Sequence, residues 1–169
     1  MTERAAELIT DMARQCSEFF AHRKIEQPRI LGIHTGGVWV AKALRQALDI
    51  ESPAGALNIS FYRDDFSQIG LHPQVRPSDI PFDIEDQHIL LVDDVLYTGR
   101  TVRAALNEIF DYGRPASVTL AVLIERDGRE LPFEANIVGT HIELESGQQV
   151  KVRGPDPITY DIIELERDS

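Results

Sequence analysis

Cysteine is nearly absent: Cys16 is the single one in 169 residues, which excludes an internal disulfide and a cysteine-based zinc site. It falls on the apolar side of a predicted helix and reads as a buried core thiol rather than a nucleophile. The histidines, His22, His34, His72, His88 and His141, are scattered without the spacing of metal ligands. Long apolar runs are missing too, since none approaches the roughly 20 residues of a membrane-spanning helix. The start, MTERAAELI, has no basic stretch leading into an apolar core and cleavage site. The expectation is a cytoplasmic protein with no membrane partner. Cations are scarce, 17 Lys and Arg against 28 Asp and Glu, and the net charge of −11 opposes non-specific binding to nucleic acid. It spares a phosphate ligand held by backbone N–H groups. Neither GxxxxGK followed by Ser or Thr nor GxGxxG occurs, so P-loop and Rossmann dinucleotide sites drop out.

What is present is the pattern of one globular α/β domain over residues 1–169, with no repeat, linker or low-complexity stretch. Ala5, Leu8, Ile9, Met12, Cys16, Phe19 and Phe20 recur every three to four residues and predict an amphipathic helix from about Thr2 to His22. Arg29 to Ile33 predicts a buried strand closed by Gly36-Gly37, and Val40, Ala43, Leu44, Ala47 and Leu48 the next helix. Leu57, Ile59 and Phe61 alternate as a strand does and lead into a polar, irregular stretch, 63–81, of the kind that serves as a lid or is simply mobile. Ile89-Leu90-Leu91-Val92 suits a central parallel strand covered on both faces. Thr101 to Tyr112 reads as a helix and Val118 to Ile124 as a strand. Beyond Ala135 come short strands, with Ser146-Gly147 as a hairpin turn and Ile158 to Leu165 as the last β segment. Alternating strands and helices predict a parallel sheet flanked by helices, with ligands beyond the carboxyl ends of its strands.

The chemistry concentrates in ILLVDDVLYTGRT, residues 89–101. A hydrophobic strand delivers Asp93 and Asp94, and a glycine-containing turn then opens a helix. Such a turn points several N–H groups outward, and the helix dipole adds partial positive charge, so a phosphate fits there. Thr98 and Thr101 add hydroxyl donors, and Gly99 permits close approach of the backbone. Two adjacent carboxylates before the turn can accept hydrogen bonds from vicinal sugar hydroxyls, or hold Mg²⁺ through water. The spacing describes a ribose 5-phosphate. Plain helix capping and the acidic pocket of a phospho-acceptor domain are the alternatives. An aspartyl-nucleophile phosphatase is disfavoured, because it wants one residue between its two acids.

This segment resembles the phosphoribosyl-pyrophosphate signature of type I phosphoribosyltransferases. GIHTGGVWVAKAL (32–44), FYRDDF (61–66), SDIPFDI (78–84), VDDVLYTGRTVRAAL (92–106), GRPASVTLAVLIERDGRELP (113–132) and EANIVG (134–139) resemble, in order, the blocks of one branch. That branch is the PyrR type, a bifunctional pyrimidine-operon attenuator and uracil phosphoribosyltransferase. The resemblance implies a type I phosphoribosyltransferase fold with a small hood from about 140–169, joined by a segment near residue 20. It implies phosphoribosyl pyrophosphate (PRPP), uracil and UMP as ligands, Mg²⁺ as cofactor held mainly through PRPP, and a homodimer or homotetramer. By the same resemblance Asp93 and Asp94 contact the ribose hydroxyls, and Val95, Leu96, Tyr97, Thr98, Gly99, Arg100 and Thr101 cradle the 5-phosphate. Thr35, Gly36 and Gly37 form the pyrophosphate loop, although Thr-Gly-Gly alone is equally a plain turn. Family members often carry Arg where Gly36 stands, which leaves Mg²⁺ or Arg63 to supply a cation. Tyr62, Arg63, Asp64 and Asp65 open the closing flap by resemblance, or a solvated charged loop by composition.

Arg126 and Arg129 read equally as surface charge or as phosphate-facing groups. Trp39 reads as core or interface rather than a stacking platform. Three activities stay open: uracil transfer, nucleotide-sensing attenuation with little catalysis, and transfer to another base. Weak or no RNA binding is expected, because the stretch from Asp64 to Ile80 carries Arg76 against Asp64, Asp65 and Asp79.

Overall fold

The computed structural model describes residues 2–59 and 78–166. The elements are β1 (Glu3–Arg4), α1 (Ala6–His22), β2 (Arg29–Ile33), α2 (Gly36–Ala47), β3 (Gly55–Leu57), β4 (His88–Leu96), α3 (Arg100–Tyr112), β5 (Ser117–Arg126), β6 (Ile137–Ile142), β7 (Gln148–Arg153) and β8 (Thr159–Glu164). Five strands form a sheet in the order β3-β2-β4-β5-β6, and every neighbouring pair is parallel.

The run Ile89–Val92 occupies the centre of this sheet, and its alternation explains why it is apolar throughout. Leu90 and Val92 join the cluster that holds Met12 and Cys16 of α1 and Val40, Ala41 and Leu44 of α2. Ile89 and Leu91 join the opposite cluster, with Val102, Ala105 and Ile109 of α3. A strand covered on both faces has no side on which a polar residue is tolerated. Each of these four side chains is 0–1% exposed, a burial worth roughly 1.5–3 kcal/mol apiece. Cys16 is fully buried in the same core, and burial pushes its thiol up to about 12.

A second sheet, β1-β8-β7, is antiparallel. It corrects two sequence expectations. The first helix begins at Ala6 rather than Thr2, because Glu3 and Arg4 are extended and pair with Tyr160 and Thr159; Ala5 N–H then donates to the Ile158 carbonyl at 3.0 Å. Ser146-Gly147 is not the turn of a hairpin between paired strands: β6 before it belongs to the large sheet, and β7 after it pairs with β8.

Trp39, half-buried on α2, lies against the backbone where β7 ends. A Cβ added at Gly154 would sit 2.7 Å from its Cε3 atom, so only glycine lets the indole approach this closely. The indole is a packing contact between α2 and the small sheet.

Candidate active site

β4 carries Asp93 and Asp94 past the end of its apolar run and continues to Leu96. Asp93 is 5% exposed, and its Oδ1 accepts the Asp94 N–H at 2.8 Å. Asp94, half-buried, accepts the Val95 N–H on Oδ1, also at 2.8 Å. Strand alternation directs Asp94 toward the α2 side of the sheet, after Leu90 and Val92.

There it meets the turn between β2 and α2. A Cβ on Gly36 would lie 2.2 Å from Asp94 Oδ2, and one on Gly37 would lie 2.6 Å from the Val92 carbonyl and 3.2 Å from Asp93 Oδ1. Both glycines therefore let the 35–37 turn rest directly on the acidic pair. The His34–Thr35 peptide is cis, His34 and Thr35 are exposed, and no side chain caps the N-terminus of α2. The glycine turn and the acidic pair, far apart in sequence, form one surface at the carboxyl ends of β2 and β4.

Residues 95–101 divide into roles the sequence did not separate. Leu96 is 2% exposed and packs in the core with α3, so only its backbone is available to a ligand. Tyr97 is 46% exposed. Gly99, with φ +95, adopts the left-handed conformation that glycine tolerates best, and α3 starts at Arg100 with no side-chain cap. The Thr98 hydroxyl accepts the Arg100 N–H at 3.2 Å, while Thr101 is half-buried at the first turn. The other N–H groups of the turn and the positive end of the helix dipole together suit a phosphate.

The structure separates Arg126 from Arg129. Arg126 stacks over the Tyr97 ring, 3.7 Å from its centroid. Arg129 donates to the Tyr97 carbonyl, to the Phe133 carbonyl at 2.9 Å and to Glu125 at 2.9 Å. Sequence reading named both arginines without assigning them, since their partners arrive only when β5 lies beside β4. It missed a further grouping. Pairing of Glu125 with His141 across β5 and β6 brings Asp127, His141 and Glu143 together, all exposed, with one possible ligand atom from each within 4.8 Å of the others. His141 Nε2 lies 3.2 Å from Asp127, and its Nδ1 lies 3.6 Å from Glu125. Strand register, not spacing along the chain, creates that trio.

Tyr62, Arg63, Asp64 and Asp65 lie outside the described residues. No helix among the described residues is long and apolar enough to cross a membrane.

Comparison with known proteins agrees with this geometry. Residues 2–154 match the phosphoribosyl transferase domain family. The bifunctional protein PyrR of Nitrosococcus oceani is 59% identical over 157 residues, covering 92% of this chain and 89% of the relative. That of Pseudomonas fluorescens is 57% identical over 160 residues, 95% of each. Among solved structures, a glutamine mutant from a series on an invariant aspartic acid in HPRTs superposes with a TM-score of 0.71 at 22% identity, covering 98% of this chain and 94% of that one. Hypoxanthine phosphoribosyltransferase from Trypanosoma cruzi, in a ternary substrates complex, gives 0.66 at 25% identity over 89% and 82%. The chain has the type I phosphoribosyltransferase fold and belongs to the phosphoribosyltransferase family, in its PyrR branch.

Proposed function

We propose that the protein transfers the phosphoribosyl group of PRPP to uracil, giving UMP and pyrophosphate. One observation carries the reading: the acidic pair of β4 and the glycine turn of 35–37 form one surface, and the same strand runs on into the turn that opens α3. In this reading Asp93 and Asp94 accept hydrogen bonds from the two ribose hydroxyls. Backbone N–H groups of the 97–101 turn, with the Thr98 and Thr101 hydroxyls, take the 5-phosphate, with Val95 and Leu96 leading the chain into it, and the turn of Thr35, Gly36 and Gly37 takes the pyrophosphate. A uracil ring nitrogen attacks the anomeric carbon as its bond to the pyrophosphate oxygen breaks, and the ring proton leaves to solvent. What accelerates this step is a positioned diphosphate whose growing charge is neutralised. No covalent nucleophile is needed.

The donor set fits Mg²⁺, a hard cation that prefers oxygen and keeps much of its water. Asp93 and Asp94 would hold it through water, where it supplies charge neutralisation of the leaving group. The small β1-β8-β7 sheet is read as the hood over the base, and assembly into a dimer or tetramer belongs to the same proposal. The name shared by the relatives, bifunctional protein, supports a second reading in which nucleotide binding at this site also regulates transcription of a pyrimidine operon. A panel of uracil, orotate, hypoxanthine, guanine and xanthine with PRPP and Mg²⁺ tests the enzyme. Turnover of uracil alone is the expected result, and turnover of another base in its place overturns the choice of uracil.

A further inference from the structure

The loop after β5 grips the turn that opens α3. Glu130 and Leu131 N–H both donate to the Thr98 carbonyl, at 2.9 and 3.0 Å. Arg129 donates to the Tyr97 carbonyl. On either side of these bonds, Gly128 backs onto the Tyr97 ring, where a Cβ would come within 2.5 Å of Cε2, and Gly99 backs onto Leu131 and Phe133.

We propose that Arg129 is a positioning residue that holds the 97–101 turn in the shape that receives the 5-phosphate. The proposal rests on the reading of that turn as the phosphate site. Among the described residues the cis peptides are His34–Thr35, Gly154–Pro155 and Asp156–Pro157, so the peptides after Tyr97 and Thr98 are trans. In a trans peptide the carbonyl and the N–H point in opposite directions. Drawing the carbonyls of Tyr97 and Thr98 toward the 126–133 loop therefore aims the N–H groups of Thr98 and Gly99 the other way, away from that loop. A turn that binds an anion needs that polarity, because a carbonyl facing a phosphate repels it.

Glu130 and Leu131 hold one carbonyl with backbone donors, which only a proline substitution would remove. The other depends on a side chain. The Arg129 guanidinium spreads three donors over three acceptors: the Tyr97 carbonyl, the Phe133 carbonyl and Glu125 at the end of β5. Its planar fork suits this task and a lysine does not replace it. The ion pair with Glu125 is about three-quarters shielded, with side-chain exposures of 24% and 23%, so the anchor is firmer than an ordinary surface pair.

The test compares wild type with Arg129→Ala and with Glu125→Gln, which loosens the anchor while keeping the guanidinium. KM and kcat are measured for PRPP and for uracil, and UMP and uridine binding are followed by calorimetry; uridine lacks the phosphate. Arg129→Ala is expected to raise the PRPP KM and the UMP Kd by about tenfold or more, with uridine binding, uracil KM and kcat changed less than about threefold. Glu125→Gln gives the same pattern at smaller size, and carries the test if Arg129→Ala does not fold. An unchanged PRPP KM in a folded variant overturns the proposal, as does equal weakening of UMP and uridine. Wild-type protein that binds neither PRPP nor UMP overturns the phosphate-site reading itself, a failure visible before any substitution is made.

Discussion

Gly36 offers the sharpest check on how the two loops meet. Replacing it with alanine places a methyl group where Asp94 Oδ2 lies 2.2 Å away, with Cγ at 2.7 Å and Cβ at 3.0 Å. The carboxylate must leave, and it loses the 2.8 Å bond from the Val95 N–H. A hydrogen bond to a charged group contributes about 1.5 kcal/mol or somewhat more. Alanine in place of glycine in the first turn of a helix returns about 0.5–1 kcal/mol. The net destabilisation is therefore about 1 kcal/mol, a fall in Tm of about 2–4 °C for a chain of this size. Function should suffer more than stability. If Asp94 meets a ribose hydroxyl, its displacement raises the PRPP KM at least tenfold, equivalent to about 1.4 kcal/mol. Gly36→Arg, toward the residue that family members often carry, should also weaken PRPP use, because the same carboxylate occupies the path of the side chain. Thermal melts and steady-state kinetics on both variants decide the matter. Wild-type Tm and KM in Gly36→Ala, or tighter PRPP binding in Gly36→Arg, would refute the packing of Asp94 on this glycine as a functional contact.

Asp93→Asn and Asp94→Asn should each weaken PRPP use at least tenfold, about 1.4 kcal/mol; kinetics matching wild type would remove the ribose assignment. Gly99→Val puts a β-branched residue at φ +95 against Phe133 and Leu131, and should abolish UMP binding in a protein whose circular dichroism is unchanged. Undiminished UMP binding by calorimetry would rule that turn out. Cys16, buried and with its thiol raised to about 12, should resist iodoacetamide at pH 8 and react once denatured, since alkylation needs the thiolate. The folded thiol holds its proton more tightly than the unfolded one, so its contribution to stability is intact below the unfolded value of about 9 and is lost as pH climbs above it. Rapid alkylation of native protein would contradict the burial. An acidic chain with few clustered cations should bind a pyrimidine-operon leader hairpin no tighter than roughly micromolar at physiological salt. A gel-shift titration giving nanomolar, UMP-enhanced, sequence-selective binding would reverse that expectation.

The elements most legible in the sequence are those whose surroundings leave one choice. Ile89–Val92 has apolar neighbours on both faces, so an unbroken apolar run marks it, and the bounds of Arg29–Ile33 are legible because Pro28 and the glycine pair punctuate it. Glu3 and Arg4 read as helix because the apolar period of α1 starts at Ala5 and nothing local announces a strand whose partner, Thr159–Tyr160, lies at the other end of the chain. Ser146-Gly147 has turn chemistry, and turn chemistry does not say which sheet each flanking strand joins. In the site, Asp93, Asp94 and Gly99 stood out by type and spacing. The inward turn of Leu96, the grip of Arg129 on the Tyr97 carbonyl and the meeting of Asp127 with His141 depend on which strands lie side by side, and no residue carries that information alone.

The indole of Trp39 against Gly154 has a mechanical consequence. Trp39 lies one turn into the helix that begins at Gly36, so the small sheet leans on the same rigid rod whose first residues form the glycine turn. Close-packed side chains pass displacement on rather than absorbing it. The small sheet and the acidic pair therefore rest on one helix, the first through the indole of Trp39 and the second through Gly36.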